Sequence, residues 1–193
     1  MAPLAITAYT ATTALGRGRA AQLDALRAGR SGLRRNDFGD VPRLDCWIGR
    51  VEGLEQAPLP PELAEWESRN HRLAWHALHQ DGFLDEVRGA VARHGATRVA
   101  VLVGTSTSSI GETEAAYAQQ RDGRIPDALA RVLVHTPHAL GDFGTFGAGF
   151  AGPVEVARRH PGDGVAHLGD RFLVLELVDA TDHHGLPVLD QRG

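Results

Sequence analysis

The chain has 193 residues, 42% of them apolar and 23% charged, the make-up of a globular protein long enough for one domain with its own core. Its formal charge of −4, with no run of five or six like charges, leaves no large basic surface and argues against nucleic acid as a partner. All 20 basic residues are arginine, which excludes Schiff-base and phosphate-loop lysine chemistry, and the sole cysteine, Cys46, excludes an internal disulfide or a multi-cysteine zinc site.

Residues 1–15 lack the positive cluster before an apolar segment that a secretory leader carries, and no stretch approaches about 18 uninterrupted apolar residues. A cytoplasmic protein without a membrane span is expected. Residues 4–10 (LAITAYT) are apolar and β-branched, and 11–18 (ATTALGRG) are small and glycine-punctuated, which predicts a strand followed by a turn. Over 20–28 the apolar residues Ala21, Leu23, Leu26 and Ala28 recur near helical spacing, with Gly29 where a helix C-terminal glycine belongs.

The proline- and glycine-rich stretch 31–61 shows no sustained period and predicts loop, with short strands at most around 46–51. Leu63, Trp66, Leu73, Leu78, Leu84, Val87 and Val91 predict two helices over 62–94, broken at Asp81-Gly82. Residues 98–103 (RVAVLV) form an unbroken apolar run of strand length, which suits a strand buried on both faces. The small-residue loop 104–111 then leads to a helix over 112–120 whose acidic start suits the helix dipole. Further helical pieces are expected over 126–134 and 135–143, a glycine-rich turn over 146–152, and strand-like alternation over 153–156.

The loop 104–111 invites comparison with a phosphate cradle, but it lacks both the lysine of the phosphate loop and the glycine spacing of the dinucleotide fingerprint. It reads instead as a tight turn whose small hydroxyl residues pack against a neighbouring layer. Cys46, flanked by Asp45 and Trp47, has no base beside it in sequence and reads as a small structural residue. His160, His167, His183 and His184 lie near Asp163, Asp170 and Asp182, at spacings that match no metal-ligand pattern, so no metal or cofactor is expected.

Three stretches occur together in an order and at separations that resemble β-ketoacyl synthases. In residues 4–33, ITAYTATTALG and LDALRAGRSGL resemble the opening strand, its small-residue loop and the first helix with its terminal turn. In residues 70–117, NHRLAWHAL and RVAVLVGTSTSSIGETEAAY resemble the helix before the central strand, that strand and its glycine-serine loop. In residues 133–156, HTPHALGDF and GFAGPVEV resemble the approach to the strand that carries the nucleophile.

The resemblance implies an α/β chain, a partial thiolase-like layered fold corresponding to the N-terminal half. Residues 1–156 would form the synthase-like region and 157–193 an unassigned tail. Acyl carrier protein is the implied partner, together with a homodimer, or a heterodimer with a full-length ketosynthase, whose interface would lie near residues 104–111. Family members continue from the third stretch into a threonine-alanine-cysteine-serine-serine turn, whereas this chain reads ARRHPGDGVAHL and has no cysteine, serine or threonine from there until Thr181. No catalytic residue therefore transfers, and no condensing activity is expected of this chain alone. The tail is either a divergent end after a natural truncation or the product of a frame change. In GC-rich codons, residues 172–178 (FLVLELV) shifted by one base would read as serines, and the family is serine-rich after its cysteine. A non-catalytic partner subunit and a non-functional truncated product are the alternatives.

Overall fold

The computed structural model describes residues 6–37, 44–105, 109–127, 139–147 and 172–177. Helices and short strands alternate along the chain, so its class is α/β in the coarse sense. The described strands form three two-stranded sheets. β1 (Thr12–Thr13) and β2 (Gly16–Arg17) make a minimal antiparallel hairpin, and β3 (Leu33–Arg35) pairs antiparallel with β4 (Trp47–Gly49), Leu33 opposite Gly49. β5 (Ala100–Thr105) pairs in parallel with β6 (Phe172–Leu177), Ala100 opposite Phe172.

The strand expected over 4–10 is not present in its described part. Residues 6–11 find no neighbouring strand among the described residues, Ile6 is 85% exposed, and without ladder partners β-propensity alone does not hold a strand. The helix after it does form. α1 (Gly18–Arg27) ends as the sequence suggests: Gly29 takes φ +59°, its N–H donates to the Leu26 carbonyl and that of Arg30 to the Ala25 carbonyl. These are the two bonds of a Schellman ending, which satisfies carbonyls the helix leaves open. A Cβ at Gly29 would meet nothing within 4 Å, so Gly29→Ala tests backbone conformation alone. It should cost about 1 kcal/mol in urea unfolding, and an unchanged midpoint would contradict the left-handed ending.

The face of α1 differs from expectation. Ala25 is buried, while Leu23 and Leu26 are exposed, because the helix rests against the small β1–β2 hairpin rather than on the core. Its N-terminal cap position is held by Arg17, whose side chain supplies no cap. The missing acceptor comes from far along the chain: the Asp81 carboxylate accepts the Arg19 N–H at 2.9 Å and the Thr10 hydroxyl at 2.7 Å. Those donors, Thr10 first, hold the Asp81 carboxyl below its ordinary range.

The two helices expected over 62–94 are α2 (Arg69–Leu78) and α3 (Phe83–His94), preceded by a 3₁₀ turn (Pro61–Trp66). The break is where the sequence places it, with Asp81 and Gly82 both left-handed at φ 57° and 69°. A second 3₁₀ turn (Ala96–Arg98) delays β5 by two residues relative to the apolar run, and α4 spans Ile110–Ala118. α5 (Ala139–Gly147) covers much of the piece expected over 135–143 and runs into the stretch read as a glycine-rich turn. The expected helix over 126–134 falls almost wholly, and the alternation over 153–156 wholly, outside the described residues.

The main buried cluster joins Leu59, Leu63 and Trp66 of the 3₁₀ region with Ala74 of α2 and Ala139, Leu140 and Phe143 of α5. A second holds Leu78, Phe83, Leu84 and Val87 at the α2–α3 corner, and Val103 of β5 packs against both. The strand expected to be buried on both faces is less enclosed than that on one of them: Val101 and Val103 are only part-buried. No helix among the described residues is long and apolar enough to cross a membrane.

Candidate functional site

The chemistry-bearing group most enclosed among the described residues is a chain of three side chains, two from the start of α2 and one from the loop before α4. Ser68 stands in extended conformation at the N-cap of α2, where its Oγ accepts the His71 N–H at 3.3 Å. The same hydroxyl lies 2.7 Å from His71 Nδ1. Ser109, just before α4, donates its hydroxyl to Ser68 Oγ at 2.8 Å, so its side chain does not cap α4.

These contacts fix a direction. Ser68 Oγ receives the Ser109 proton and the His71 N–H, and gives its own proton to Nδ1, which must then be unprotonated. The proton of the neutral ring then sits on Nε2, a buried nitrogen with no hydrogen-bond partner among the described residues. Trp66 and Phe143 wall the ring, with centroids 5.7 and 4.9 Å away. His71 and Ser68 are each 2% exposed and Ser109 5%. Burial pushes the imidazole down to about 4, against the weaker pull of the Ala139 carbonyl and the Glu67 charge.

A serine-serine-histidine relay is a chemistry that can activate a hydroxyl nucleophile, but here the terminal hydroxyl of Ser109 is turned inward and no side of the chain meets solvent. The arrangement can bind α2, α4 and α5 to one another. Ser109 meets the expectation that hydroxyls of the 104–111 loop pack against a neighbouring layer. Residues 106–108 of that loop lie outside the described residues.

An ion-pair cluster ties the β3–β4 hairpin to α2. Glu55 lies 3.1 Å from both Arg50 and Arg69, Arg50 also meets Asp37 at 3.4 Å, and Arg34 joins Asp37 and Glu52. Burial alone would push Glu55 up; hydrogen bonds from its own backbone and from the two arginines outweigh it and hold the carboxyl low. Every carboxylate here is matched to a guanidinium, which reads as scaffold.

Cys46 sits half-buried just before β4, its carbonyl accepting the Asn36 N–H at 2.9 Å, and takes no part in the serine-histidine chain. Its structural reading fits this placement. The tail histidines and aspartates, His160, His167, His183, His184, Asp163, Asp170 and Asp182, lie outside the described residues, among which no group of three His, Cys, Asp or Glu could hold a metal. Sequence reasoning did not find Ser68, His71 or Asp81 as a linking residue. A Ser-x-x-His spacing at a helix start was the available signal for the first two.

No protein-family model matches this chain, and no curated protein matches it.

Proposed function

We propose that this chain corresponds to the N-terminal region of a β-ketoacyl synthase of acyl-chain elongation, in a partial thiolase-like layered fold, and that it performs no condensation by itself. The observation that carries the reading is the unit formed by residues 98–117: an apolar strand, a glycine- and serine-rich loop and a helix, flanked at the expected separations by the stretches 4–33 and 133–156. In a condensing enzyme a cysteine thiolate takes the acyl group before a decarboxylated extender attacks it. The sole cysteine of this chain stands in the β3–β4 hairpin, far in sequence from the segment after Val156 where the resemblance would require it.

Incubation with acyl- and malonyl-carrier protein should give no 3-oxoacyl product and no acylated Cys46 by mass spectrometry. Either species would overturn the reading. The frame-change origin of the tail is tested separately by resequencing the gene across the codons for residues 140–193: a synthase-like continuation in another frame supports it, and none in either frame removes it.

A second reading, a non-catalytic partner subunit of a full-length ketosynthase, is favoured by the exposed apolar side chains Leu23, Leu26, Leu33, Leu44, Trp47 and Tyr117. Co-expression with such a synthase should then give a complex that survives size-exclusion chromatography, and separate elution of the two chains would remove this reading.

A further inference from the structure

A cleft of about 390 Å³ opens between the β1–β2 hairpin and the turn that follows α1. Its floor is apolar and belongs to the core: Val51 and Leu73, which with Leu54 form a small buried cluster. Leu15 and Leu33 line its walls, and Arg30 and Ser31 also border it, both exposed. The two sides are pinned together, because a Cβ added to Gly32 would lie 2.8 Å from the Ala14 carbonyl carbon.

Arg30 is distinctive among the arginines near this cleft. Arg17 donates to the Glu52 carbonyl, and Arg34, Arg35 and Arg50 are engaged by carboxylates, whereas no carboxylate among the described residues lies within ion-pairing distance of Arg30. Its backbone is nonetheless fixed, since its N–H closes the Schellman ending of α1. A cleft of this size, with an apolar floor and few polar groups, has the make-up of a small-molecule site, and a planar guanidinium at the edge selects a carboxylate.

We propose that this cleft binds a small amphipathic carboxylate, its apolar body on Val51 and Leu73 and its anionic end at Arg30. The inference stands on the cleft alone and does not depend on the synthase reading.

Octanoate and 1-octanol, titrated calorimetrically into the full chain, separate the two halves of the proposal. Octanoate should bind the more tightly. Arg30→Gln should weaken octanoate by about threefold to tenfold, the range for a partly exposed charge-assisted contact, and leave octanol unchanged. Leu33→Trp, a substitution at an exposed wall position, should abolish binding of both while circular dichroism and the melting temperature show the fold retained. Absence of octanoate binding to the folded wild type overturns the proposal. So does octanoate binding that neither variant alters, or an Arg30→Gln loss equal for the acid and the alcohol.

Discussion

Between pH 6.5 and pH 4 the protein should lose about 3 kcal/mol of folding stability through His71 alone. In the folded chain the imidazole titrates at about 4, and in the unfolded chain near 6.5. Across that interval the unfolded state binds the proton and the folded state does not, so acid favours unfolding; above pH 6.5 both states are neutral and the effect vanishes. Each unit of difference is worth about 1.4 kcal/mol, which sets the size. The hydrogen bonds give the same sign: a proton on Nδ1 would have to be accepted by Ser68 Oγ, which already accepts from Ser109 and from the His71 N–H. Urea midpoints measured from pH 7.5 to 4 for the wild type and for His71→Gln isolate this group from the carboxylates that titrate alongside it. The wild-type curve should fall more steeply, and parallel curves would show that His71 is not held neutral by burial.

Phe143→Ala should cost about 3–5 kcal/mol, the range for emptying the site of a fully buried aromatic ring. Phe143 is 0% exposed and meets three rings, Trp66 at 6.0 Å, His71 at 4.9 Å and Trp75 at 6.3 Å between centroids. With Ala139 and Leu140 it joins α5 to α2 and the 3₁₀ turn before it. Domains are stable by only about 5–15 kcal/mol, so the variant should be marginal at room temperature. Phe143→Leu, which retains most of the apolar volume, should cost about 1 kcal/mol. Thermal unfolding of both separates loss of volume from general intolerance. Equal, small losses would mean that Phe143 is not a core residue.

Local signals carried the parts of the fold that the sequence made legible. Gly29 after a helical pattern, the Asp81-Gly82 break and the apolar run before residue 104 each specify their geometry through backbone preferences within a few residues, and each is found in place or within two residues. What failed depended on distant partners. Residues 4–10 have the composition of a strand, but in the described part no other segment pairs with them. Leu23 and Leu26 repeat at helical spacing, yet which face of α1 is covered is decided by a hairpin of four paired residues and by Asp81, 62 residues from Arg19. The link from Ser109 to Ser68 spans 41 residues and carries no periodicity at all. A histidine on a helix gives no sign in sequence that a loop hydroxyl closes over it.

The pairing of β5 with β6 sets an order of events during synthesis. Ala100 lies opposite Phe172, so the second strand leaves the ribosome 72 residues after the first. At about 5–20 residues per second, β5 waits roughly 4–14 seconds with its hydrogen-bonding edge open. An apolar strand in that state is a template for any other extended segment nearby. For this chain the hazard lies in the interval before its partner exists, and slower translation through residues 106–171 would lengthen it.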